Sequence, residues 1–216
     1  MALQVAVLIS GEGTNLQAIL DSVHGQGGVE VVGVAASRAE AQGLRRAEAA
    51  RVETAVFSAG DHGDRERRDE ALGDWLEHCG VDLVVLAGWM EILSPEFIHR
   101  FAGRVLNVHP SLLPSFPGIR AVEQAIEHGV RVTGVTVHFV DAEVDSGPIV
   151  LQQALELAYD REVDEVEREV HAIEHRLLPR AIRLIAAGAV SADPGNPRRV
   201  RIDPSLDSEG ARGENG

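Results

Sequence analysis

Three side chains in this sequence are of types that can stabilise charge and move protons together. Asn107 and His109 lie in LNVHPSLLPSFPG (106–118), and Asp145 lies in DAEVDSGPIV (141–150). Strand side chains alternate between faces, so an asparagine and a histidine two positions apart project the same way. An amide donor beside an imidazole suits the stabilising of a developing oxyanion. Asp141, Glu143 and Asp145 share one connection, where acids are ordinarily just solvated. Asp145 differs because Ser146-Gly147-Pro148 forms a turn that ties it to the start of the next run. If that turn folds back over the sheet end, Asp145 reaches His109, and a carboxylate neighbour favours the protonated imidazole. Spacing alone does not establish that contact. His138, in TVHF, is a further candidate at the same edge, explained as well by structure as by chemistry.

A second constellation is the glycine loop Gly11-Glu12-Gly13-Thr14-Asn15, between a first strand and a first helix. Such a place offers free backbone N–H groups and a helix dipole to an anion. Glycine lets the backbone approach closely with no Cβ in the way. The dinucleotide fingerprint GxGxxG is incomplete, because Leu16 stands where a third small residue is wanted. Ser37-Arg38, rather than an acid, follow the second strand. A simple phosphate is therefore a better ligand than NAD, and a turn required only for packing is the alternative.

These residues need elements to hold them. QVAVLIS (4–10), EVVGVAAS (30–37), ETAVF (53–57), VDLVVLAG (81–88) and RVLNVH (104–109) read as strands. Helical spacing separates them, over NLQAILDSV, 39–51, 64–79 and 94–102. In the third of these, Leu72, Trp75, Leu76 and Cys79 share one side. VDLVVLAG is a continuous apolar run of the kind found in a parallel strand buried on both faces. Strands alternating with helices imply an α/β fold, a doubly wound and mostly parallel open sheet. Ligands on such sheets bind beyond the carboxyl ends of the strands, where Asn107 and His109 fall. Pro110 and Pro114 stiffen the exit. RVTGVTVHFV (131–140) and PIVLQQALEL (148–157) then predict an antiparallel strand pair, and 161–187 a long amphipathic helix with a break at Pro179. One domain over 1–190 is expected. The segment 191–216, rich in Gly, Pro, Arg and acids, is expected to be a flexible tail.

Composition narrows the function. The formal net charge is -14, and every Lys/Arg position is an arginine. An acidic surface argues against nucleic acid and anionic membranes as partners. Without lysine there is no Schiff base and no P-loop. The single Cys79 excludes an internal disulfide framework and a cysteine zinc site, and no His/Cys/Asp cluster has metal-ligand spacing. The apolar runs are too short to span a bilayer, and the N-terminus reads as a strand rather than a leader. The expected location is cytoplasmic.

The stretches LISGEGTNLQAI, VVLAGWMEILSPEF, LNVHPSLLPSFPG and GVTVHFVDAEVDSGPI, in this order over about residues 3 to 188, resemble the phosphoribosylglycinamide formyltransferases, folate-dependent enzymes of purine synthesis. The specific signature is NxHPSLLP followed by the DxGP-type loop. The resemblance implies a Rossmann-like formyltransferase fold and two small-molecule substrates, glycinamide ribonucleotide and 10-formyltetrahydrofolate. It implies direct formyl transfer without a metal, by a monomer or homodimer. It assigns catalysis to Asn107, His109 and Asp145, and phosphate binding to Gly13, Thr14 and Asn15 with Arg65. Glu174 would hold the ribose hydroxyls. The pterin pocket corresponds to Met90, Glu91, Ile92 and Leu93 and to the backbone around Val140, Asp141 and Val144. Two positions depart from the pattern: Glu91 stands where arginine is common, and His171 where Gln or Lys is frequent. Methionyl-tRNA formyltransferase would need an RNA-binding domain and a basic surface, and formyltetrahydrofolate deformylase an added regulatory domain and water as acceptor. A non-catalytic nucleotide-binding module is the rival from another class.

Overall fold

The computed structural model of the protein describes residues 1–207. Where one domain is expected, the chain divides into two compact units, Met1–Asn107 and the part from Val108 onward.

The first unit alternates strand and helix: β1 (Leu3–Ile9), α1 (Thr14–Ser22), β2 (Val29–Ala36), α2 (Gly43–Ala49), β3 (Glu53–Val56), α3 (Ala59–His62), α4 (Arg65–His78), β4 (Leu83–Leu86), α5 (Pro95–Arg100) and β5 (Val105–His109), whose last two residues open the second unit. All strand pairs here are parallel, in the order β3-β2-β1-β4-β5. The most apolar strands occupy the middle: Val5 to Ile9 of β1 and every residue of β4 are buried. Leu16, Ile19 and Leu20 of α1 and Leu72 and Leu76 of α4 supply the apolar helix faces. Helix starts are chemically marked. Asp64 accepts a hydrogen bond from the Arg67 N–H to cap α4, and Ser94 accepts one from the Phe97 N–H to cap α5, with Pro95 in the first turn.

The second unit contains α6 (Ala121–His128), β6 (Val132–Phe139), β7 (Ile149–Glu156), α7 (Val163–Ala186), β8 (Val190–Asp193), β9 (Asn196–Ile202) and a 3-10 turn at Pro204–Leu206. β6 and β7 pair antiparallel, as their composition predicts. α7 runs unbroken through Pro179, although proline removes one helical N–H. Val166, Val170, Ile173, Leu177, Leu178, Ala181 and Ile182 are buried on both sides of the proline, so the apolar stripe holds the helix together across the gap.

The segment after Ser191 differs from a flexible tail as far as Asp207. β8 and β9 pair antiparallel, and β9 meets β7 at Ile149–Arg199. Its anchors are polar. Asp193 accepts from the Gly195 N–H at 2.7 Å and pairs with Arg201, while Asp207 pairs with Arg180. Residues 208–216 of the expected tail lie outside the described residues. Among the described residues no helix is long and apolar enough to cross a membrane.

Candidate active site

β5 ends at His109, and two later segments close on that ring. Its Nε2 lies 2.8 Å from the Phe116 carbonyl, and its Nδ1 lies 3.3 Å from Asp145 Oδ2. A carbonyl and a carboxylate can only accept, so the surroundings suit an imidazole with hydrogen on both nitrogens. His109 is only 4 % exposed. The contact that spacing left open is thus made: the Asp145 turn folds back onto the histidine. The same Asp145 oxygen accepts from the Gly118 N–H at 2.7 Å, tying the end of the 110–118 segment to the acid.

The turn reaches that position because of Gly147. A Cβ there would sit 1.9 Å from the Phe139 carbonyl oxygen, which no side chain survives. The Phe139 N–H donates to Pro148 O at 2.9 Å, locking the turn to the end of β6. Asp141 shapes the other side, accepting from the Ser146 hydroxyl and from the Glu143 N–H. Arg198 of β9 donates to Ser146 O at 2.6 Å. Two residues touching His109, Phe116 (φ 53°) and Asp145 (φ 51°), adopt left-handed backbone. For non-glycine residues this conformation costs of order 1 kcal/mol each.

The proline-rich segment is held by more than its prolines. Thr136, fully buried on β6, donates its hydroxyl to Ser111 O at 2.7 Å. The Thr136 hydroxyl oxygen in turn accepts from the Leu113 N–H at 3.1 Å and from Gln152 Nε2 at 2.9 Å. Gln152 also donates to Leu113 O. Sequence reading missed this hub, because a threonine and a glutamine inside strand patterns give no local signal. It also missed the Phe116 carbonyl and the Gly118 N–H.

His138 Nδ1 sits 2.9 Å from Phe139 O, and its Nε2 lies 3.7 Å from Asp145 Oδ1. Burial pushes its pKa below the ordinary histidine range. The Phe139 carbonyl and Asp145 oppose that shift, and His109 adds to it. His138 thus approaches the Asp145 oxygen that does not face His109.

The remaining predicted residues of this unit are Val140, Asp141 and Val144, in the β6–β7 connection with Val144 exposed, and Glu174, buried on α7. His171 and His175 stack on the same helix at 6.4 Å between ring centroids.

In the first unit, Gly13 precedes α1 at φ 72°, with Thr14 and Asn15 opening the helix. A Cβ on Gly13 would lie 2.6 Å from Gly43 Cα, and Gly43 N–H donates to Gly11 O at 3.1 Å. The loop is thus clamped against the start of α2, and packing is one physical reason for this glycine. Arg46 adds a bond to Glu12 O. Arg65 opens α4, is exposed, and pairs with its neighbour Glu66 at 3.0 Å. Met90, Glu91, Ile92 and Leu93 lie between β4 and α5, with Met90 71 % and Ile92 66 % exposed. Asn107 occupies β5 opposite Leu86. Among the described residues no cluster of three or more His, Cys, Asp or Glu is placed to hold a metal ion.

Comparison with known proteins extends these observations. The profile of a family described as formyl transferase matches residues 3–182. Phosphoribosylglycinamide formyltransferase of Haemophilus influenzae is 44 % identical over 186 residues, which cover 86 % of this chain and 88 % of that protein. The trifunctional purine biosynthetic protein adenosine-3 of Gallus gallus is 45 % identical over 188 residues, 87 % of this chain but 19 % of that much longer protein. The crystal structure of glycinamide ribonucleotide transformylase 1 from Symbiobacterium toebii superposes with a TM-score of 0.88 at 46 % identity, covering 93 % of this chain and 94 % of that one.

Proposed function

The chain belongs to the formyl transferase family, and we propose that it transfers a formyl group from 10-formyltetrahydrofolate to the amine of glycinamide ribonucleotide in purine biosynthesis. The observation that carries this reading is the 44 % identity to a phosphoribosylglycinamide formyltransferase over nearly the whole of both chains. The chemistry is supported by the 3.3 Å approach of His109 to Asp145.

The amine attacks the formyl carbon, forming a C–N bond and a tetrahedral oxyanion. Asn107 and a doubly protonated His109 donate hydrogen bonds to that oxygen. Asp145 orients His109 and passes the proton lost by the attacking nitrogen, through water, to the departing N10 of the folate. The C–N10 bond then breaks, leaving tetrahydrofolate and the formylated amine. For His109 to serve the oxyanion, Nε2 exchanges the Phe116 carbonyl for the substrate oxygen. Gly13, Thr14, Asn15 and Arg65 bind the substrate phosphate, and Glu174 the ribose hydroxyls. The exposed Met90 and Ile92 offer apolar surface to a flat pterin. Segment 140–144 offers it the backbone groups of Val140, Asp141 and Val144. The reaction belongs to the cytoplasm.

The test supplies 10-formyltetrahydrofolate with and without glycinamide ribonucleotide and follows the formyl group. Loss that depends on the amine, with formylated product, is expected. Equal loss without the amine would replace this reading with a deformylase. Binding with no loss in either arm would leave only a ligand-binding module.

A further inference from the structure

Two adjacent charges on α4, Arg68 and Asp69, are buried and are not among the residues given roles above. Arg68, on α4, is 1 % exposed, and its guanidinium reaches three groups at once. It pairs with Asp69 at 2.8 Å, donates to Glu91 Oε2 at 3.1 Å, and donates to Ile92 O at 3.0 Å. Its Cζ also lies 5.8 Å from the ring centre of the buried Trp89. Asp69 extends the hold with its other oxygen, accepting from the Ser94 N–H at 2.5 Å. Met90 N–H is taken by Ser10 Oγ at 2.9 Å.

The short segment between β4 and α5 is thus fastened at Met90, Glu91, Ile92 and Ser94, three of these by adjacent residues of α4. Two of its large apolar side chains, Met90 and Ile92, are left exposed. A surface segment with this many fixings and its apolar side chains turned outward is built to present them. The planar five-donor fork of arginine can bridge a carboxylate, a second carboxylate and a carbonyl, which the point charge of lysine cannot reproduce. The arrangement also gives Glu91 a use: where the resembled family often carries arginine, this chain sets an acid against the buried Arg68.

We propose that Arg68 is a positioning residue for the formyl-donor site, holding the 90–94 segment through Glu91 and the Ile92 carbonyl in the shape that receives the pterin. This rests on the proposed folate reading of that segment. Without Arg68 the segment must be ordered by the donor itself, and that ordering is subtracted from its binding.

The experiment uses the full chain with Arg68→Met, Arg68→Lys, Glu91→Gln and the Arg68→Met/Glu91→Gln pair. It measures KM for 10-formyltetrahydrofolate and for glycinamide ribonucleotide, and binding of the folate by calorimetry. In Arg68→Met the donor KM and Kd rise about tenfold, while KM for the amine stays within about twofold. Arg68→Lys recovers part of the loss, and the double variant is no worse than Arg68→Met because both act through one contact. Unchanged donor affinity in a folded Arg68→Met, or losses that multiply in the double variant, overturns the proposal. Should Arg68→Met fail to fold, Arg68→Lys and Glu91→Gln carry the same comparison, and unchanged donor affinity in both overturns it. A drop in melting temperature with donor affinity intact likewise reduces Arg68 to a structural role and overturns it. Trp89 emission, read with Trp75→Phe, separates the two claims. A wild-type chain that binds no folate sinks the functional reading. A Trp89 spectrum that does not respond to loss of Arg68 sinks the positioning one.

Discussion

The glycine loop of the first unit and the histidine site of the second both need left-handed backbone, and they obtain it differently. Gly13 adopts φ 72° where only backbone is used, so a residue without a Cβ takes the turn at no steric cost. Phe116 and Asp145 adopt φ 53° and 51° as full side chains. Asp145 cannot be glycine, since its carboxylate meets His109 and the Gly118 N–H. Strain is tolerated where the strained residue supplies an atom to the site. Positive φ is not by itself a mark of function, however: Arg51, an exposed residue after α2, has φ 61°.

That contrast can be broken at several points. The largest effect is expected at the proposed catalytic side chains. Asp145→Asn and Asn107→Ala should each lower turnover by roughly 10²–10³, the usual loss of an oxyanion donor or its support, with melting temperatures close to wild type. Near-wild-type turnover in either purified variant removes the assigned roles. Next come the glycines. Gly147→Ala, whose methyl meets the Phe139 oxygen, should cost about 3 kcal/mol in denaturant unfolding. Gly13→Ala should cost about 2 kcal/mol and raise KM for the phosphate-bearing substrate. A Gly13→Ala enzyme with unaltered KM would leave this glycine a packing role alone. A smaller gain is expected at the strained bystander: Arg51→Gly should stabilise the chain by about 0.5–1 kcal/mol and leave turnover alone.

The smallest effect concerns His138. An ordinary histidine takes up its proton near pH 6.5, and the folded state holds His138 below that. Below 6.5 the unfolded chain therefore binds a proton that the folded one refuses, so this residue's contribution to stability is lost as pH falls through 6.5. The difference in unfolding free energy between wild type and His138→Gln, followed from pH 7.5 downward, should shift against the wild type in that window. A difference that stays flat would mean the ring accepts its proton in place.

Much of this was readable beforehand where physics writes itself locally. The continuous apolar runs gave parallel strands, and period-two alternation put Asn107 and His109 on one face. The Ser146-Gly147-Pro148 turn singled out Asp145 among three neighbouring acids, while its contact with His109 stayed open until the structure closed it. What stayed illegible depends on partners distant in sequence. Thr136 and Gln152 are neutral residues in strands until Ser111 and Leu113 arrive beside them. Arg68 looks like any helix charge until Glu91 and the Ile92 carbonyl enclose it. Helix α6 escaped because Arg120, at φ 59°, starts it without a side-chain cap. The β8–β9 hairpin escaped because acids and arginines, rather than apolar residues, anchor it.

That hairpin sets an order in time. Arg198 completes the turn carrying Asp145 by bonding to Ser146, 52 positions earlier in the chain. At roughly 5–20 residues synthesised per second, the acid emerges from the ribosome roughly 3–10 s before its last brace exists. The turn that carries the proposed catalytic acid is therefore complete only once residue 198 has been made.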